Sequence, residues 1–258
     1  MVARHHGITD CASTAAVIPQ EGDQTDRSEP DSDSRFDLAD ETFIDRGEAG
    51  ASSARRYRKL HEQREAAARD RLGPLAGVYL ALTEDPQSTT AWAVGSDGEH
   101  RLGRYLETLH DDESIVVLHD RRIPGSRANI DHIVVAPTGV YVIDAKNYKG
   151  RVQRVDKGRF FATEWHLYVG RRDCTKLVTG MGRQLDTVRS VVDGEADVRA
   201  AICFVAAEWS LLARPFEIGG VWVGWAKALG KQLSSAGPLE TDRIGVLARR
   251  IANALPSA

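Results

Sequence analysis

The sequence predicts an α/β fold, a mixed central β-sheet flanked by helices and preceded by a helical extension. Three observations carry this. After Trp92 the apolar spacing switches between helix and strand periods, in the order helix–strand–strand–strand–helix–strand. Pro137-Thr138-Gly139 joins two apolar runs as a tight turn, with Pro suited to the second turn position and Gly to a positive φ. Residues 201–206 are a continuous apolar run, as expected of a strand covered on both faces. A chain of 258 residues, 42% hydrophobic, suffices for one good-sized domain with extensions.

The elements follow in order. Residues 1–50 hold twelve acids against four Arg, a balance of −8, so the remainder carries +5 within the net −3. Their few apolar residues show no period, and such a segment cannot offset its chain entropy, so it is expected to be disordered. Residues 52–71 are dense in helix formers and charge, with almost no apolar stripe, and read as a solvated, mostly basic helix. Gly73-Pro74 stops it, and 75–82 make a short apolar helix. Residues 85–90 are a polar connector, which puts the helical extension at 51–90 and the α/β domain at 91–258.

Within that domain, 96–109 predict a helix with Leu102, Leu106 and Leu109 on one face. Strands are expected at 114–118, 130–136 and 140–145, with two more exposed ones at 152–155 and 164–169. A helix at 182–192 follows, then strands at 201–206 and 221–225, and a terminal amphipathic helix at 241–255.

Several function classes are excluded. Cys11, Cys174 and Cys203 are odd in number and widely spaced, which argues against a disulfide framework and fits a reducing cytosol. No CxxC pair suggests a structural zinc site, no Gly-x-Ser-x-Gly elbow is present, and no Walker-type phosphate loop exists. With no apolar signal core and no stretch long enough to span a bilayer, a cytoplasmic, non-membrane protein is expected.

The hairpin over 130–146 is the most informative segment. Asp131 opens its first strand and Asp144 stands near the end of the second, so the turn brings both carboxylates to one end. A bulge at Gly139 would shift the register by one, so the exact pairing stays open. Alternation puts Asp144 and Lys146 on the same face. Two acids supply hard oxygen ligands for Mg²⁺ or Mn²⁺, the ion acidifies a bound water, and a Lys orients that water or offsets developing charge. Solvated strand ends are the alternative. Glu99 shares the face of Leu102 and Leu106; it either completes a capping box with Ser96 or looks into the metal site. Gln184 lies on the flank of its helix, either half-exposed or bonded to substrate or water.

These residues together resemble the nuclease-related domain family, NERD, a branch of the PD-(D/E)XK nuclease superfamily. The resemblance begins at Trp92-Ala-Val-Gly95 and Gly98-Glu99 and continues through Val117-Leu-His119-Asp120. It is most specific from Asn129-Ile-Asp131 to Gly139-Val-Tyr-Val-Ile-Asp144-Ala-Lys146-Asn147-Tyr148-Lys149-Gly150. It covers roughly half the chain and fades after Val192. It implies a restriction-endonuclease-like core and a role in DNA processing. Asp131 matches the metal-binding Asp, Asp144 and Lys146 the (D/E)-x-K element, Glu99 the acid of the first helix, and Gln184 a later polar residue. The family tends to place Glu where this chain has Asp144, one methylene shorter. On this basis Mg²⁺ or Mn²⁺ would be held by Asp131, Asp144, Glu99 and the Ala145 carbonyl, with DNA as partner. Lys149, Arg151, Arg171, Arg172 and Lys176 would contact phosphates. The competing expectation is a binding module that keeps the fold without the chemistry.

Overall fold

The computed structural model describes residues 44–83, 86–110, 114–159 and 162–258, which form one unit from Ile44 to Ala258. The acidic segment as far as residue 43, with Cys11, lies outside the described residues. Helix α1 (Ala51–Leu72) is followed by a 3₁₀ turn at Gly73–Leu75, then α2 (Ala76–Leu82) and α3 (Gln87–His110). Strands β1 (Val116–Arg122), β2 (Asn129–Ala136) and β3 (Gly139–Lys146) come next. A small sheet of β4 (Val152–Asp156), β5 (Trp165–Val169) and β6 (Arg172–Asp173) then leads into α4 (Thr175–Val192). The chain closes with β7 (Val198–Phe204), β8 (Phe216–Ile218), β9 (Val221–Gly224), α5 (Ala226–Leu233) and α6 (Thr241–Ala254).

The main sheet has six strands in the order β1-β2-β3-β7-β9-β8. The β1/β2 and β2/β3 pairs are antiparallel, β3/β7 and β7/β9 are parallel, and β8 pairs antiparallel on the edge. A parallel neighbour cannot follow a tight turn, so β3 reaches β7 only through the small sheet and α4. Alternate residues divide the core into two layers. Val134, Ala136, Tyr141, Ile143, Ala201 and Cys203 meet Leu102 and Leu106 of α3 and Leu229 and Leu233 of α5. Ile133, Val135, Val140, Val142 and Ile202 meet Met181 and Val188 of α4 and Ile244 and Ile251 of α6. Both faces are therefore dry over residues 140–143 of β3 and 200–204 of β7, which is why these stretches are apolar.

Several boundaries differ from the sequence expectation. α3 begins at Gln87 rather than residue 96, because residues 87–95 carry no apolar stripe for the sequence to show; the helix as a whole packs against α1. α4 starts at Thr175, since Gly180 and Gly182 weaken the helical signal there. α5, too short to show a period, buries Leu229 and Leu233 one turn apart. β1 runs on through His119, Asp120 and Arg121, all of them buried. The last residues of the acidic segment lie against this strand. Arg46 O accepts the His119 N–H at 2.7 Å, and Ile44 packs on the core. Gly47, at φ +68°, passes so close that a Cβ there would stand 2.3 Å from the His119 carbonyl oxygen. Among the described residues no helix is long and apolar enough to cross a membrane.

Candidate functional site

The β2/β3 hairpin turns through two residues, Pro137 and Thr138, with Ala136 opposite Gly139. No bulge intervenes; the positive φ of Gly139 is absorbed at the first rung. The backbone ladder ends at His132 opposite Ile143. One rung further, the Ala145 N–H is taken by the Asp131 carboxylate at 2.9 Å. A side chain thus replaces a strand carbonyl where the hairpin opens, which aims Asp131 at the end of β3. There the Lys146 ammonium donates to Asp144 Oδ1 and lies 3.4 Å from the Ala145 carbonyl oxygen. The structure therefore brings Asp131, Asp144 and Lys146 together.

Glu99 faces them from α3. Its carboxylate is buried and accepts a hydrogen bond from Ser53 Oγ at 2.8 Å. The capping-box alternative fails: the helix starts nine residues before Ser96, whose hydroxyl instead donates to the Gly50 carbonyl at 3.3 Å. Gathering acids in partial shelter from water raises their proton affinity. Burial, and then the neighbouring Asp144 and Glu99, push the Asp131 carboxyl well above the usual range. Burial also raises Glu99, with Asp120 and Asp144 adding to the shift and Ser53 and Lys146 opposing it. Burial lowers the Lys146 ammonium, but Asp144 and Asp131 outweigh it, so Lys146 holds its proton more firmly than a free lysine.

Such a cluster of like charges with one ammonium suits a further cation. Carboxylate and carbonyl oxygens are the donors that hard divalent ions take. Among the described residues, however, no three His, Cys, Asp or Glu groups already stand in ligating positions. Asp144 meets Lys146 through Oδ1 only, so it could offer Oδ2 to an ion once the acids turned toward one another.

Sequence reasoning missed the residues that tie α1 to this site. Asp120 is buried at φ +48° and accepts hydrogen bonds from Ser52 N at 2.6 Å, Ser52 Oγ at 2.7 Å and Asn129 Nδ2 at 2.9 Å. Its carboxylate thus serves as the missing cap of α1, whose own N-cap, Gly50, has no side chain to offer. The adjacent Ser53 then reaches Glu99. A cleft of about 480 Å³ opens between α1 and β2, lined by Ser53, Arg56, Glu99, Arg127, Asn129 and Asp131. It shares Arg56, Arg127 and Asn129 with a second hollow of about 430 Å³, where Arg55, Lys59 and Arg122 add positive charge. The only sequence signal for this groove was the basic character of 52–71.

The remaining candidates lie elsewhere. Gln184 is half-buried on α4, and its side-chain oxygen is buried without a partner among the described residues. Lys149, Arg151, Arg171, Arg172 and Lys176 are exposed around the small sheet and the start of α4. Of these, Arg172 stacks over Tyr148 at 5.4 Å. They sit apart from the groove beside α1, which none of them lines. Cys203 is buried in β7, and burial pushes its thiol up to about 12, so it is no nucleophile.

The mixed six-strand sheet flanked by helices, preceded by a helical segment, has the architecture of a restriction-endonuclease-like fold. Residues 94–204 match the family model for the nuclease-related domain. An uncharacterized protein of Bacillus anthracis is 41% identical over 101 residues, 38% of this chain and 45% of that protein. The chain thus spans less than half the length of that curated relative. No solved structure matches.

Proposed function

We propose that the protein is a metal-dependent phosphodiesterase acting on DNA, in DNA processing. The observation that carries this is the convergence of Asp131, Asp144 and Lys146 where the hairpin opens, with Glu99 facing them across a cleft that continues into a cationic groove. Asp131, Asp144, Glu99 and the Ala145 carbonyl would hold Mg²⁺ or Mn²⁺. When bound, such an ion acidifies water and neutralises phosphate charge. Lys146, firmly protonated, orients the attacking water and stabilises charge on the scissile phosphate. The Ser53 hydroxyl fixes the Glu99 carboxylate, and the Ala145 N–H fixes that of Asp131. Arg56 and Arg127 would hold the backbone of the strand beside the acids, with Arg55, Lys59 and Arg122 further along.

The test is cleavage of plasmid and single-stranded DNA with Mg²⁺, Mn²⁺ or chelator. Lys146→Ala and Asp131→Asn each abolish metal-dependent cleavage while the fold persists; wild-type cleavage by Asp131→Asn removes the proposal. A second reading, a nucleic-acid- or protein-binding module without turnover, is favoured by one observation. Lys146 pairs with Asp144, so the site can balance one of its carboxylates with its own ammonium. Metal titration separates the two: only the enzyme has a saturable Mn²⁺ site that disappears in Asp131→Asn.

A further inference from the structure

Outside the acidic site, a second cleft lies where β7 and β9 end. Its volume is about 460 Å³, and it is lined by Phe204, Val205, Trp209 and Trp225, with Arg101 and Lys227 at its margins and no acid among its lining residues. In open α/β sheets, the region outside the carboxyl ends of parallel strands is where ligands collect. Both tryptophans are held in place. The Trp225 carbonyl accepts the first backbone bond of α5, from Leu229 N at 3.0 Å. Trp209 packs on Trp225 with centroids 4.9 Å apart and on Phe216 at 6.2 Å. The cleft is also physically tied to the acidic site. Val205 N donates to the Lys146 carbonyl at 3.0 Å. Arg101 stands on α3 two residues after Glu99 and donates to the Val205 carbonyl at 3.3 Å. One short strand end therefore separates the two sites.

Two indoles packed into one platform, with two cations and no acid in the lining, are the features that take a nucleobase against a ring face and its phosphates on ammonium and guanidinium groups. A base within a duplex is stacked and paired and cannot enter such a recess. We infer that this cleft receives an unpaired nucleobase, with Arg101 and Lys227 on the flanking phosphates, and so selects single-stranded or frayed DNA. This rests on the nucleic-acid reading of the neighbouring site but not on turnover. Trp209, Trp225 and Lys227 lie beyond residues 94–204, whereas Arg101 and Phe204 lie within them, so the cleft straddles the end of the matched segment.

The experiment measures binding of fluorescent oligothymidylate and of a blunt duplex to the full chain by anisotropy, in chelator, so that cleavage plays no part. Trp225→Ala weakens binding of the single strand by roughly five- to a hundred-fold and leaves the duplex within about two-fold, while Trp225→Phe keeps most of the affinity. A folded Trp225→Ala protein with unchanged oligothymidylate affinity overturns the inference, as does equal loss for strand and duplex. Should Trp225→Ala fail to fold, Lys227→Glu with Arg101→Gln carries the same test. Single-strand affinity must fall, and its salt dependence must flatten by about one unit of slope for each phosphate no longer neutralised; no change in either refutes the cleft. Loss of cleavage in Asp131→Asn with strand preference intact would bear on the phosphodiesterase proposal alone.

Discussion

Replacing Asp120 by Asn tests whether α1 is a wall of the site or a loose extension. The carboxylate accepts three hydrogen bonds at 2.6–2.9 Å, two through Oδ1 and one, from Ser52 N, through Oδ2. Asn preserves shape and tolerates the left-handed backbone at φ +48°. It has a single acceptor oxygen, so at least one donor now faces an amide NH₂. Hydrogen bonds to a charged group contribute about 1.5–3 kcal/mol against about 0.5–1.5 for neutral ones. Losing one and weakening two costs roughly 3 kcal/mol, to which the helix dipole adds about 0.5. Relief of the buried charge offsets part of this, leaving a net loss of about 2–3 kcal/mol. The loss is local first: α1 should exchange its amide protons from an opened state well before the sheet unfolds. Urea titration with hydrogen exchange over residues 51–72 measures both. A midpoint shift equivalent to less than about 0.5 kcal/mol, with α1 still protected, would show that Asp120 does not dock the helix.

Further outcomes follow from the same region. Arg121, fully buried, donates to the carbonyls of Leu255, Ala252 and Asp45 at 2.6–2.9 Å; Arg121→Met orphans all three and should cost about 3 kcal/mol or more in urea unfolding. Burial holds His119 below its ordinary pKa, against the opposing pull of Glu107. Glu107, though burial pushes it up, is held below its own ordinary value by hydrogen bonds from His119 and Arg46. In both cases the unfolded chain binds protons first as pH falls, so stability should decline below about pH 6.5 and again below about 4.5. His119→Gln should flatten the first decline, and an unaltered profile would refute the assignment. Leu211 and Leu212 are fully exposed in the turn at 210–213, so changing both to Ser should leave stability within about 0.5 kcal/mol while improving solubility.

What the sequence allowed to be read, and what it hid, divides by range. The hairpin was readable because turn chemistry and alternation are local: Pro137-Thr138-Gly139 set the reversal, and the spacing placed Asp131 and Asp144 at one end. The Asp120–Ser52 and Glu99–Ser53 hydrogen bonds join residues 68 and 46 positions apart, and no local pattern announces them. Hence Glu99 invited a capping-box explanation, and α1 looked like a solvated helix. The charged half of β1 was hidden for a related reason. The Arg121 side chain is buried by partners far away in sequence, the Asp45 carbonyl on one side and the Ala252 and Leu255 carbonyls on the other.

Family likeness and cooperative folding have different limits in this molecule. A fragment trimmed to residues 94–204 would keep the acid–lysine set but lose β9, α5 and α6. Ala201 and Cys203 would then forfeit Leu229 and Leu233, and Ile133 and Val135 would forfeit Ile244 and Ile251. Greasy surface laid bare on both sides of the central strands invites clumping, so an inert preparation of that fragment would say nothing about the chemistry of the whole.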